Sequence, residues 1–391
     1  MKKTHQTDLK TENQLLISML NKDLGQQQVS STQTSIRLHR LATLHGIIPQ
    51  VYKTLQIYGH LLDKTETSKI QKDQQHFLRM NLVLSAHLRT LTQTLDQHNF
   101  SYLSIKGATL AQELYHDISM RQFSDIDLFV NEKDIYALSE CIVALGYTPV
   151  LPLSLLKRKK FLELDNDFSF RHTKTNALLE LHWKLFPKRH KMSLPFSELH
   201  SRASKLSFQN RSIDTLSPED NLLYLSLHGA KHIFERYEWV YDLDQLIRTY
   251  PLLDLIEVHE RAKEIHVDAP FLLGIFLSHT LFDTPIPKAF ETHRTAHIQT
   301  LIDTTLSYYD QGFVFWDESD KKQARFLFLS ELFQNKESKM IWLFKSLFKT
   351  TPVDVITFNF PNKLAFLYPI LRPFRLLYKH LFTKKPQYDT L

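Results

Sequence analysis

The chain has 391 residues, of which 43% are hydrophobic and 23% charged. That is the composition of a globular protein with material for a sizeable core, and the length fits roughly two to three domains. Only 8 glycines argue against a glycine-rich dinucleotide fold, the single Cys141 excludes an internal disulfide and suits a reducing compartment, and a formal net charge of +6 suits a negatively charged partner.

The opening stretch, MKKTHQTDLKTENQLL, is polar and lacks the apolar centre of a secretory signal. No run reaches the ~18 consecutive apolar residues of a membrane span. Both readings fit a cytoplasmic protein. Residues 1–99 read as a helical region. Leu15, Leu16, Ile17 and Leu20 form one apolar stripe, and a second helix runs through Ile36–Leu44 and ends near Gly46. A long helix is predicted from about Thr67 to Asn99, with Phe77, Leu78, Leu82, Leu84, Leu88, Leu91 and Leu95 at helical spacing.

From Phe100 to residue 216 the pattern is that of an α/β core. It reads as a strand over Phe100–Ile105, a helix over Gly107–Tyr115, a strand over Ser124–Val130, a helix over Glu132–Leu145 and a strand over Gly146–Val150. Asp167–Arg171 and Ala177–Trp183 read as paired strands, and Lys205–Gln209 with Ser212–Thr215 as a further hairpin. Cys141 sits in an apolar helical pattern and is expected to be buried.

Helical periodicity returns at Ser217, which offers a cap, with Pro218 at the first helical position and two acids in the first turn. It continues through Phe282 and again from about Thr292 to Phe348, giving a helical domain over 217–350. The tail, 351–391, is apolar and basic. Pro369 and Pro373 are expected to break any long helix there, although the mixture of leucines, aromatics and lysines also fits weak contact with a membrane surface. The expected fold class is α+β, a small mixed sheet flanked by N-terminal and C-terminal helical regions.

The chemistry concentrates around the sheet. In a strand, alternate side chains share a face, so Asp125 and Asp127 point the same way while Ile126, Leu128 and Val130 fill the other side. Two adjacent carboxylates repel unless a cation sits between them, and Mg²⁺ or Mn²⁺ takes such hard oxygen ligands. Glu180 is the candidate third carboxylate. It lies in an otherwise apolar strand, on one face with Leu178 and His182, and a charge there is costly without a partner. Asp125, Asp127 and Glu180 are therefore both the metal-ligand and the catalytic candidates, with Glu180 alternatively a base. A two-metal site would activate an attacking hydroxyl and hold leaving phosphates.

Lys106-Gly107-Ala108 lies between a strand and a helix start, where the backbone can approach a phosphate and helix N–H groups favour anions. Lys106 or Arg121 could neutralise a triphosphate, and Ser124 beside the Asp pair joins these nucleotide-binding candidates. In the helical half, His228 and His232 are one turn apart and share a face. No HExxH pattern accompanies them, which disfavours zinc. With Lys231, Asp242 and His182 they are candidates for substrate contact, or for helix packing.

The order of these features resembles the DNA polymerase β-like nucleotidyltransferase superfamily. More narrowly, it resembles a bacterial family of uncharacterised nucleotidyltransferases. The residues that carry the likeness are Lys106-Gly107-Ala108, Leu114-Tyr115, Arg121, Asp125-Ile126-Asp127-Leu128 and Glu180-Leu181-His182-Trp183. Ala42–Leu55 and the segment from His228 to Asp242 resemble its helical flanks. The superfamily's usual Gly-Ser turn has a hydroxyl that Ala108 lacks; Thr109 follows one residue later. The resemblance implies a metal-dependent enzyme that transfers a nucleoside monophosphate from an NTP, ATP among them, to an acceptor hydroxyl with release of pyrophosphate. The acceptor stays open between a small molecule, a peptide, a tRNA and a protein. Two alternatives are a catalytically weak nucleotide-binding or regulatory protein on the same fold, and a nucleic-acid-binding module. The latter draws on basic clusters at Lys157–Lys160, Lys184–Lys191 and in the tail.

Overall fold

A computed structural model describes residues 9–24, 31–58, 61–185, 194–333 and 347–382. Four helices come first: α1 (Lys10–Asn21), α2 (Thr32–Leu44), α3 (Ile48–Ile57) and α4 (Lys64–Gln97). Ser31 caps α2 by accepting from the Thr34 amide at 3.1 Å, and Asp63 caps α4 by accepting from Thr65 at 2.8 Å. The Asp63 cap explains why α4 starts at Lys64, three residues before the predicted start at Thr67. At 34 residues, α4 is ~50 Å long and serves two cores. Leu84, Leu88, Leu91 and Leu95 are buried, whereas Leu82 falls off their stripe and is 51% exposed.

The α/β region follows as β1 (Tyr102–Ser104), α5 (Gly107–Tyr115), β2 (Asp125–Val130), α6 (Ile135–Ala144), β3 (Tyr147–Pro149), α7 (Lys159–Leu164), β4 (Asp167–His172), β5 (Leu178–His182), α8 (Phe196–Ser201), β6 (Ser204–Phe208) and β7 (Arg211–Thr215). The strands form one mixed sheet in the order β3-β4-β5-β2-β1-β7-β6. The pairs β2–β5 and β1–β7 are parallel and the remaining pairs antiparallel. Cys141 on α6 is half-buried rather than fully enclosed.

The chain then runs through α9 (Pro218–Lys231), α10 (Tyr237–Thr249), α11 (Leu255–Glu264), α12 (Asp268–Phe282), α13 (Ala296–Asp310), α14 (Glu318–Leu332), α15 (Pro352–Phe358) and α16 (Leu367–Phe382). At the start of α9, Ser217 accepts from the Asp220 amide at 3.2 Å. The tail corrects one expectation: α16 continues through Pro373. Pro369 falls in the first turn, where its missing N–H would lack a partner in any case, so only Pro373 removes an internal bond. Most of the Lys184–Lys191 cluster, the helical pattern over 334–346, and Lys384 and Lys385 lie outside the described residues.

Two apolar cores sandwich the sheet. On one side Ile126, Leu128, Val130, Leu179 and Leu181 pack with α4 and α6. On the other, Phe129, Leu103 and Ile105 join a core that α1–α3 share with α9–α14. The alternation of β2 therefore turns Asp125 and Asp127 toward the helical half. The fold is α+β, with one mixed sheet between helices, as the sequence pattern predicts.

Candidate active site

The site is built on the β2–β5 pair. The parallel register sets Asp127 opposite Glu180 and Asp125 opposite Leu178. Glu180 thus lies on the same face as both aspartates, and His182 follows it two residues on. Asp127 is 2% exposed. Its Oδ1 accepts from His182 Nε2 at 2.8 Å, and the same nitrogen lies 3.7 Å from Glu180 Oε2. Asp127 Oδ2 sits 3.3 Å from Lys106 Nζ but has no hydrogen-bond partner, although it is buried. Asp127, Glu180 and His182 each offer a ligand atom within 4.8 Å of the others. Asp125 lies beside them on the strand and is not part of that three-residue cluster.

The electrostatics follow from this crowding. Burial alone would push the Asp127 carboxyl up, but Lys106 and the His182 hydrogen bond outweigh it and hold the group down, at about 2. Asp125 is shifted upward by burial and by the Asp127 charge, with Lys106 opposing. Glu180 is also raised, by burial and then by Asp127, with His182 opposing. For Lys106, burial works against the charged form, yet Asp127, Tyr224 and Asp125 together raise its pKa. The cluster is one buried cation among three carboxylates. A buried carboxylate oxygen that meets only an ammonium at 3.3 Å, outside hydrogen-bond geometry, beside two further acids belongs to a donor set that suits a hard divalent cation.

Lys106 and Gly107 turn the chain from β1 into α5 with two successive positive φ values, 62° and 51°. The Lys106 conformation, φ 62° and ψ −151°, is one that side chains other than glycine rarely adopt. Contacts on both sides hold it there. Ile105 N donates to Asp127 O at 3.1 Å, and Lys106 O accepts from Leu110 N at 3.2 Å and from Thr109 Oγ1 at 2.9 Å. The hydroxyl one residue late is thus spent on the turn itself, and it also lies 3.0 Å from Ser104 Oγ. Ala108 is buried and Ser124 exposed.

Arg121 is 5% exposed and engaged by the helical half. Its Nε donates to Asp242 Oδ2 at 2.9 Å, and Nη2 lies 3.3 Å from Glu238 Oε1. Tyr115 OH donates to the other oxygen of Asp242 at 2.8 Å. Burial raises the Glu238 carboxyl to about 7, with Arg121 opposing and Asp242 adding to the rise. Asn81 on α4 fixes the backbone of this loop, donating to Ile118 O at 2.7 Å and Arg121 O at 2.8 Å.

On α9, Tyr224 and His228 stand one turn apart, and His232 follows as the residue that ends the helix. The Tyr224 ring lies 5.9 Å from Lys106 Nζ. His228, His232 and Trp239 form a triangle of rings with centroids 5.2–5.4 Å apart, all part-exposed. Burial depresses both imidazoles, His232 to about 3 and His228 well below its ordinary value, and nearby cations add to the effect. Lys231 is exposed at the end of α9. The structure therefore brings Lys106, Asp125, Asp127, Glu180 and His182 together, ties Arg121 to Asp242 and sets the His228 face of α9 beyond Lys106. Sequence reasoning missed Tyr224, Glu238 and Trp239. The first two stand four residues before His228 and Asp242, so the one-turn spacing that singled out the histidines carried a signal for them too.

A model of the uncharacterised nucleotidyltransferase family matches residues 33–283, well over half of the chain. The protein belongs to the uncharacterised nucleotidyltransferase family. Its enzyme class is accordingly nucleotidyltransferase. Among curated proteins, no sequence matches the chain. Three solved structures are similar to parts of it. A lincosamide antibiotic adenylyltransferase bound to lincomycin has 14% identity and a TM-score of 0.31, covering 41% of this chain and 93% of its own. An antibiotic-resistance factor with substrate-regulated conformation dynamics has 14% identity and a TM-score of 0.34, covering 48% and 98%. An antigenic nucleotidyltransferase-like protein from Paracoccidioides brasiliensis has 16% identity and a TM-score of 0.32, covering 55% and 96%.

Proposed function

We propose that this nucleotidyltransferase moves a nucleoside monophosphate from an NTP to an acceptor hydroxyl and releases pyrophosphate, with Mg²⁺ or Mn²⁺ at the acidic face of β2 and β5. The observation that carries the reading is the pairing of Asp127 with Glu180, together with the buried Asp127 oxygen that lacks a hydrogen bond. Asp125, Asp127 and Glu180 would hold the cation. Magnesium favours oxygen over imidazole ligands, so His182 serves best by orienting the Asp127 carboxylate through its 2.8 Å bond. When bound, the cation supplies charge neutralisation to the phosphates and acidity to a coordinated hydroxyl.

The chain's own groups do the rest of the work. Lys106 faces Asp127 and is the amine placed to meet a phosphate; Gly107, Ala108 and Ser124 offer backbone or side-chain approach at the same edge. Arg121 is held by Asp242 and Glu238, so its contribution is to fix the loop that leads into Asp125 rather than to bind a phosphate directly. Burial keeps Glu180 more basic than an ordinary carboxylate, which suits it to take the acceptor proton if it is not a ligand. Uncharged His228 and His232, with Lys231 at the end of α9, would line the acceptor side. An NTP supply and one unpaired thiol fit a cytoplasmic setting. The test is incubation with each α-labelled NTP, Mg²⁺ or Mn²⁺, and cell extract, followed by identification of the labelled product. Label transfer that depends on divalent cation and is lost in Asp127→Asn supports the reading. Metal-independent labelling, or nucleotide binding without any transfer, would overturn it.

A further inference from the structure

Helix α16 has two unlike faces. One is fastened to the protein. Tyr368 is 1% exposed and its hydroxyl donates to Phe360 O at 3.1 Å. Arg372 Nη1 and Arg375 Nε grip the two oxygens of fully buried Asp354 at 2.7 and 2.6 Å. The opposite face is apolar and turned to water. Phe366, Ile370, Phe374 and Leu377 are 62%, 53%, 66% and 57% exposed. Ile370, Phe374 and Leu377, four and three residues apart, form one row on the helix; Phe366 in the turn before it precedes the row, and Leu381 continues the row in sequence. The anchored face fixes which side of the helix looks outward. Contiguous apolar rows of this kind mark interaction sites on soluble proteins.

The charge around the row identifies what it fits. From Val355 to Tyr388 the sequence contains no Asp or Glu, but it has Lys363, Arg372, Arg375, Lys379, Lys384 and Lys385. Asp354, an acid that meets the helix, is taken by two arginines. Arg158 Nη1 donates to Phe360 O at 3.4 Å, so the basic run Lys157–Lys160 lies beside the base of the tail and extends the positive surface. With Arg372 and Arg375 held by Asp354, the positive excess lies in Lys363 and the Lys157–Lys160 run and, by sequence, in Lys379, Lys384 and Lys385; a basic segment that carries branched aliphatic and phenyl side chains matches the boundary between anionic headgroups and acyl chains. Single-stranded nucleic acid would instead ask for a run of planar rings on which successive bases stack; Phe366, Phe374 and Tyr378 offer rings, but Ile370 and Leu377 interrupt them with aliphatic groups that suit acyl chains. Among the described residues no helix is long and apolar enough to cross a membrane, so α16 would lie on the surface.

We propose that α16 docks the protein on an anionic lipid surface, with Phe366, Ile370, Phe374 and Leu377 entering the interfacial layer. The proposal is independent of the catalytic reading. It is tested by co-sedimentation of the full chain with phosphatidylcholine vesicles, with and without phosphatidylglycerol. The expected result is binding to the anionic vesicles that weakens with salt and little binding to phosphatidylcholine alone. The double variant Ile370→Ser, Phe374→Ser should lose about tenfold or more in partitioning, because removing apolar area removes the insertion term, while its thermal unfolding stays close to that of the parent. Absence of sedimentation with either vesicle overturns the proposal. So does full retention of binding in the double variant, which would reduce the interaction to charge alone. A parent dimer that the variant converts to monomer would assign the row to a second copy, and RNA binding lost in the variant while vesicle binding persists would assign it to nucleic acid; either result also overturns the proposal.

Discussion

Asp127 and Glu180 stand directly opposite each other in the parallel ladder of β2 and β5. Strand register, rather than a loop, therefore sets how the two carboxylates meet. The register is itself fixed by what lies behind it. Leu128, Leu179 and Leu181 are completely buried on the other face, and a one-residue slip of β5 would turn Leu179 and Leu181 onto the acidic face and Glu180 into the core. The price of this precision is electrostatic: Asp125, Asp127 and Glu180 are crowded on one face, with Lys106 set against Asp127.

Replacing Asp127 with Asn tests that arrangement most directly. The amide keeps an oxygen for His182 but removes the charge that a divalent cation would meet. Outer-shell changes at metal sites cost ~10–100-fold in affinity, so loss of this carboxylate is expected to weaken Mn²⁺-dependent nucleotide binding by more than about 100-fold. Titration of a nucleotide with and without Mn²⁺, alongside circular dichroism to confirm the fold, measures it. Equal Mn²⁺ dependence in parent and variant would remove Asp127 from the site.

The sheet was legible in the sequence because its signals are local. Asp125 to Val130 and Leu178 to His182 alternate cleanly, and Gly107 to Tyr115 begins and ends where its helix does. The acidic face followed from the same alternation. What local pattern could not carry was pairing across the chain. Arg121 and Asp242 are 121 positions apart, and nothing in either segment says that the guanidinium meets a carboxylate of α10. Pro373 misled for the related reason that tertiary anchors, here Asp354 with Arg372 and Arg375, hold a helix together where a lone proline would weaken it.

The Arg121–Asp242 contact is a buried ion pair, with both side chains almost wholly excluded from water. Removing one partner of such a pair costs ~3–5 kcal/mol, because the other charge stays buried. Asp242→Asn is expected at the lower end of that range, since Glu238 remains beside Arg121 and gains its full attraction. Urea unfolding of the variant reads the loss. A change below about 0.5 kcal/mol, the range of ordinary surface substitutions, would mean that the pair contributes no stability.

Glu113 gives the protein an uncommon pH dependence. It is buried on α5, accepts from Tyr250 OH at 2.8 Å and from Asn221 Nδ2 at 3.3 Å, and burial raises its carboxyl to about 7 against the opposing Tyr250 bond. In the unfolded chain the same group titrates near ~4.3. Between those values the folded state binds more protons than the unfolded one, so this group's contribution is fully present below the unfolded value and is lost as pH rises through 7. The loss is ~4 kcal/mol at most. Glu113→Gln keeps an oxygen for Tyr250 and should flatten the fall in stability between pH 5 and pH 8, roughly the window those two values define. Unfolding midpoints across that range measure it, and an unchanged slope in the variant would show that another group governs it.

Lys106 combines a charge that Asp127 needs with a backbone that lysine disfavours. Its φ of 62° and ψ of −151° fall where only glycine is comfortable, a strain on the order of 1–3 kcal/mol. Two substitutions separate the parts. Lys106→Ala removes the amine and keeps the strain. Lys106→Gly removes both, at the cost of added freedom in the unfolded chain, ~0.5–1 kcal/mol. Both variants leave Asp127 without its cation and are expected to weaken triphosphate binding to a similar extent. Their stabilities should differ, with the glycine variant the more stable by about 1 kcal/mol, the strain released less the entropy added. Denaturant unfolding of the pair, read beside nucleotide affinity, tests both halves. If alanine is as stable as glycine, the turn is not strained. If both variants bind triphosphate as tightly as the parent, the amine at Asp127 has no part in holding it. Equal affinities with unequal stabilities would mean that the β1–α5 turn is held in its costly shape by Ile105, Thr109 and Leu110, the residues that hydrogen-bond across it.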